Sequence, residues 1–174
     1  MTKHRTTTRA VALGGLLTLA LAAPAAAGGN GATDVFTVGG GGIYTVADDG
    51  SVVLDQGQAL VTDRRVREML DATLSVVLAT DDGTFPEPDA CEPASATFVV
   101  EGQRDVAMTL EGTGTYCARR HPVFPTFVER RFEGRYVVTD AKRPMLRGDE
   151  GTFSVTLSGG FMAASTSSFI PEGS

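Results

Sequence analysis

The chain has 174 residues, with 15 Lys and Arg against 21 Asp and Glu and a formal net charge of −6. That acidity sets its overall field against nucleic acid and anionic membrane as partners. Two histidines and two cysteines leave little material for a His- or Cys-rich metal set.

The N-terminus opens with Lys3, His4, Arg5 and Arg9, then an uncharged Ala- and Leu-rich run over residues 10–23. Pro24 breaks the run, and Ala25, Ala26 and Ala27 supply small residues at a cleavage point. This is the three-part layout of a secretory signal. The run falls short of the roughly 20 apolar residues that span a bilayer. No cysteine follows it to accept a lipid, and no paired arginine precedes it. The expected division is a signal peptide over 1–27 cut after Ala27, a flexible leader over 28–33, and one β domain over 34–174. The protein is then secreted and extracellular, with no stable membrane anchor once the signal is gone. Removing residues 1–27 takes away three bases (Lys3, Arg5, Arg9) and no acid, so the net charge moves from −6 to −9.

Strand signals follow in series. DVFTV (34–38) precedes four glycines at 39–42, which read as a linker or wide turn. IYTVA (43–47) and SVVLD (51–55) flank Asp48-Asp49-Gly50, a turn chemistry that suits a hairpin. Residues 63–70, DRRVREML, place Val66, Met69 and Leu70 at helical spacing with Asp63 as N-cap, which predicts a short helix. Leu70, Ala72 and Leu74 also extend the alternation of LSVVLAT (74–80), where Leu74, Val76 and Leu78 share one face.

The stretch DGTFPEPDACEP (82–93) holds four carboxylates, three prolines and Cys91. A calcium site needs six to eight converging oxygens. Asp82, Glu87, Asp89 and Glu92 are irregularly spaced, and Pro86, Pro88 and Pro93 stiffen the backbone. A solvated loop pinned by its cysteine is the better reading. Beyond it, Phe98 and Val100, then Val106, Met108 and Leu110, alternate on two limbs folded about Gly102. Such a hairpin sets Cys91 opposite residue 114, three short of Cys117. Gly112 and Gly114 could absorb that offset as a bulge. In an oxidising compartment the pair Cys91–Cys117 is expected as a disulfide, stabilising the fold by about 3–4 kcal/mol in the chain-entropy model.

FEGRYVVT puts Phe132, Tyr136 and Val138 inward with Arg131, Glu133 and Arg135 outward; Phe153, Val155 and Leu157 repeat the alternation before a Ser-Gly-Gly turn and a last strand. About nine or ten short strands and at most one helix predict an all-β single antiparallel barrel, with a β-sandwich as the alternative.

Catalytic signatures are sparse. His121 is the one histidine after the signal, no serine sits in a G-x-S-x-G elbow, and the glycines at 39–42 lack the Lys-Ser/Thr of a phosphate loop. No catalytic residue, metal ligand or cofactor is assigned. The loop after Cys117, ARRHPVFPTF, carries Arg119, Arg120 and His121, and Arg131 and Arg135 follow on the outward face of the next strand. These five residues are the candidate binding set, for an unknown small-molecule or protein ligand. The leading expectation is a non-catalytic extracellular binding module. The alternatives are a secreted enzyme using carboxylates in a barrel cavity, and a protease inhibitor acting through Arg119 or Arg120.

The segments DGTFPEPDACEPASATFVVEG, GTGTYC, RRFEGRYVV and RGDEGTFSV, over about residues 70–160, resemble a group of small secreted bacterial proteins without assigned function. The resemblance implies a β fold and supports pairing of Cys91 with Cys117; it implies no activity. The Phe-x-Gly-x-Tyr and Gly-x-x-Gly spacing is also similar to that of calycin and allene-oxide-cyclase-like barrels.

Overall fold

Alternation of apolar and polar residues turns into a closed wall when each strand pairs with the next and the last pairs with the first. The computed structural model describes residues 36–63, 68–103 and 106–169, and the side chains of Glu68 and Phe169 lie outside that description. All of them belong to the unit Gly31–Ser174. The signal peptide, the cleavage point after Ala27 and the leader over 28–33 therefore lie outside the described residues.

Eight strands form the barrel: β1 Phe36–Val46, β2 Val52–Asp63, β3 Glu68–Thr80, β4 Cys91–Gly102, β5 Ala107–Arg120, β6 Val128–Ala141, β7 Glu150–Ser158 and β8 Phe161–Phe169. Each pairs antiparallel with its neighbour in sequence, and β1 pairs with β8 to close the ring. The class is all-β and the architecture a closed up-and-down barrel.

Four expectations need correction. The glycines at 39–42 are neither linker nor turn; they are the middle of β1, so 34–38 and 43–47 do not make two strands. The reason is close approach: a Cβ on Gly40 would run into Gln58 and Ala59 of β2, and one on Gly41 into the Met162 carbonyl of β8. That merger brings nine or ten strands down to eight. The helix over 63–70 is not formed at its ends, because Asp63 closes β2 and Glu68 to Leu70 open β3. Residues 64–67 lie outside the description. Leu70 follows the strand alternation instead and is buried with Leu74, Val76 and Leu78. One 3-10 turn, Pro144–Leu146, is the helical element among the described residues. The β4–β5 turn is the fourth. It lies beyond Gly102, around residues 103–106, so the register runs without a bulge from Cys91↔Cys117 to Glu101↔Ala107. Gly112 and Gly114 absorb no offset.

The interior is filled. Phe98, Met108, Phe132 and Phe153 are buried together, with ring centroids 5.1 Å apart for Phe98–Phe153 and 4.7 Å for Phe132–Phe153. Phe153 lies over Gly112, where a Cβ would displace its ring. A gap beside Val38, Phe98 and Thr166 has no room for a water molecule. A second gap, between Phe36, Val61, Met108 and Leu146, holds about 10 Å³, roughly one water. The outer wall is mixed: Arg131, Glu133 and Arg135 on β6 and Thr113 and Thr115 on β5 face solvent, and so do Leu60, Met69, Val77, Val99 and Val137. No helix among the described residues is long and apolar enough to cross a membrane.

Candidate functional site

Up-and-down topology sends alternate connections to opposite ends. One end collects the β1–β2 turn, the proline loop between β3 and β4, the β5–β6 loop and the β7–β8 turn. The chain invests its turn chemistry and its disulfide there.

The two Asp-Asp-Gly turns are built alike and touch. Gly50 and Gly83 both take positive φ, +82° and +69°, and a Cβ on Gly50 would collide with the Gly83 carbonyl. Asp49 accepts from the Ser51 N–H at 2.9 Å and its hydroxyl at 2.6 Å. Asp82 accepts from the Thr84 N–H at 3.0 Å and hydroxyl at 2.8 Å. These bonds favour the carboxylate form and hold both aspartates below the usual range. The Ser51 hydroxyl is the leading cause for Asp49, and the Thr84 N–H for Asp82.

The proline loop is strapped to β5. Ala118 accepts from the Asp89 N–H and donates to the Ala90 carbonyl, at 2.7 and 3.0 Å. Asp89, at φ 69°, receives the Arg120 N–H on one oxygen at 3.1 Å and pairs with Arg120 Nε through the other at 3.0 Å. Cys91 and Cys117 are directly opposite and bonded, with Cα atoms 4.0 Å apart. The alternation places this bridge on the outer wall. So the carboxylates at 82 and 89 organise the loop, and among the described residues no group of three His, Cys, Asp or Glu side chains is placed to hold a metal.

Of the five candidate binding residues, the register sets Arg119 and Arg131 diagonally beside each other on the outer face of β5 and β6, with Arg135 further along β6 opposite Thr113. Arg119 and Arg120 are the last residues of β5 rather than loop residues, and Arg120 is engaged by Asp89. Arg131 and Arg135 face outward on β6 with Glu133 between them; Arg131 pairs with Glu133 at 2.6 Å and its Nε–H donates to Ser154 Oγ at 3.3 Å. His121 organises the β5–β6 loop from within. Its Nδ1 accepts the N–H groups of Val123 and Phe124, both at 3.2 Å, which puts the proton of the neutral ring on Nε2. The ring stacks on Phe124 at 5.4 Å and meets Phe127 edge-on at 6.2 Å. The His121 N–H to Phe127 carbonyl bond closes the loop. Held this way, Val123 and Phe124 stay 69% and 64% exposed and Phe127 42%. The result is an ordered apolar tip flanked by Pro122 and Pro125.

A second group was not anticipated. Arg130 is in phase with Phe132 and Tyr136, so it points inward at the disulfide-bearing end, where its guanidinium carbon lies 5.0 Å from the centre of the Phe85 ring. Phe85 comes from the proline loop and also meets Tyr116, at 6.2 Å. Tyr116 is 1% exposed. Its hydroxyl and Arg130 Nε are buried without a hydrogen-bond partner. Burial pushes the Tyr116 hydroxyl well above its ordinary value, against a smaller opposing pull from Arg130. The period-two rule that set Arg131 and Arg135 outside places Arg130 inside, so the signal was present in the sequence.

No family model, curated protein or solved structure matches this chain. What the fold and this end define is a closed, filled β-barrel with a disulfide-braced set of loops at one mouth.

Proposed function

We propose that the protein is an exported, non-catalytic binding module that docks an extracellular partner through the ordered tip Val123-Phe124-Phe127. The observation that carries this reading is the filled barrel. An enzyme working on carboxylates in a cavity needs a hollow interior, so recognition falls to the loops. An exposed apolar tip fixed in advance by His121 loses little conformational entropy on docking and suits an apolar pocket on a protein. Export rests on the signal pattern before Ala27, with the bridged cysteines in keeping with it. The likeness to small secreted bacterial β proteins belongs to the same reading.

The test is quantitative capture from the extracellular fraction of the producing cells by immobilised protein starting at residue 28. Val123→Asp and Phe124→Ser should abolish capture of the partner while leaving the unfolding midpoint within about 0.5 kcal/mol for the exposed Val123 change. Capture that survives both changes would overturn the reading. If the capture is instead a trypsin-like protease and is lost in Arg119→Ala, inhibition through β5 takes its place.

A further inference from the structure

Arg130 and Tyr116 pose a problem that the docking tip does not address. Arg130 makes no ion pair among the described residues, yet its Nε is shut away from solvent. Arg130 is half-buried as a whole, but an Nε–H shut away without an acceptor is costly, as is a buried hydroxyl without a partner. The two lie in one small region, linked through the Phe85 ring that touches both. Phe85 supplies aromatic surface to this mouth and no acceptor. Glu92 faces Tyr116 across the β4–β5 pair but bonds to neither group.

Arg130 Nε–H can only donate and the Tyr116 hydroxyl can donate as well as accept, and the surface between them is occupied by an aromatic ring. We propose that this mouth is a binding site for an aromatic carboxylate. The ligand's ring takes the place of the Phe85 ring between Arg130 and Tyr116, and its carboxylate accepts from Arg130 Nε–H and the Tyr116 hydroxyl. Phe85 is thus a resident plug, a half-buried side chain that must swing aside, on a loop tied at Thr84 by Asp82 and Thr80 and at its far end by Asp89 and the disulfide. The site is separate from the tip at 123–127 and stands or falls without it.

The probe is 3-phenylpropionate, titrated by calorimetry to about 20 mM, since a ligand of that size binds at roughly millimolar strength. Phe85→Ala unplugs the site and should bind the probe at least ten-fold more tightly than the unaltered protein. In that background Arg130→Met should weaken binding ten-fold or more, and Tyr116→Phe several-fold. The neutral amide of the probe should bind at least ten-fold more weakly than the acid, and acetate, which lacks the ring, not measurably. Glu92→Gln should tighten binding about two- to five-fold by removing a nearby like charge. If Phe85→Ala does not fold, Phe85→Leu carries the same comparisons. Equal binding of acid and amide, undiminished binding after Arg130→Met, or no binding by a folded Phe85 variant would each overturn the proposal. The last result would mean that water satisfies both donors.

Discussion

Two exposed carboxylates contribute to how this protein responds to acid. Asp49 and Asp82 occupy equivalent places in two touching turns, and each is stabilised as the anion by Ser or Thr donors two residues on. Their folded pKa values are depressed, so the unfolded chain binds more protons than the native one as pH falls. The stabilisation is therefore complete above the ordinary aspartate value of about 4 and drains away as pH drops through the lower folded values. The urea midpoint should hold level from pH 7 to 5 and decline below 4. Asn at both positions keeps an acceptor but cannot titrate, so the acid limb of Asp49→Asn/Asp82→Asn should be shallower; an equally steep limb would show that these turns do not govern it. At this scale the sequence was half legible. Turn chemistry at 48–50 and 81–83 could be named from composition, but no local pattern says that Asp89 would claim Arg120 or that the two turns would meet.

Strands were legible where one face is buried and illegible where side chains are missing. Phe132, Tyr136 and Val138 announce β6 by alternation and are all buried. The glycines of β1 carry no side chain to alternate, so nothing local distinguishes a strand squeezed between neighbours from a linker. The helix reading of 63–70 failed for a related reason, since Leu70 satisfies both periods and only pairing of β2 with β3 chooses between them. The closing seam shows what β1 costs. Its ladder with β8 runs only from Gly39↔Ser165 to Ile43↔Phe161. Below that, two inward hydroxyls take over: the Phe36 N–H donates to Ser168 Oγ at 2.7 Å and the Val38 N–H to Thr166 Oγ1 at 2.9 Å. Both amides belong to residues 1–2% exposed. Thr166→Val or Ser168→Ala leaves one of them buried and unpaired, at about 1–3 kcal/mol each. Denaturant melts should show that loss. Hydrogen exchange should speed up at Val38 for the first variant and at Phe36 for the second, and unchanged exchange there would mean that the seam is held some other way.

At the scale of the molecule, the non-catalytic reading depends on one property, the absence of usable space inside the barrel. That space is taken by Phe153, which lies between Phe98 and Phe132 and fits because position 112 has no side chain. Filling of this kind is not written in any single strand. Alternation says which residues point inward, whereas strand number and register decide whether those residues close the gap. The interior can be tested by emptying it. Phe153→Ala should cost about 3–5 kcal/mol, a large part of a total that is typically about 5–15, and leave a dry apolar void. The variant should then be stabilised by benzene in thermal melts far more than the unaltered barrel, whose filled core has nowhere to put the ring. A saturable benzene response from the unaltered protein would show that the barrel breathes open, and a cavity for substrate would have to be considered again.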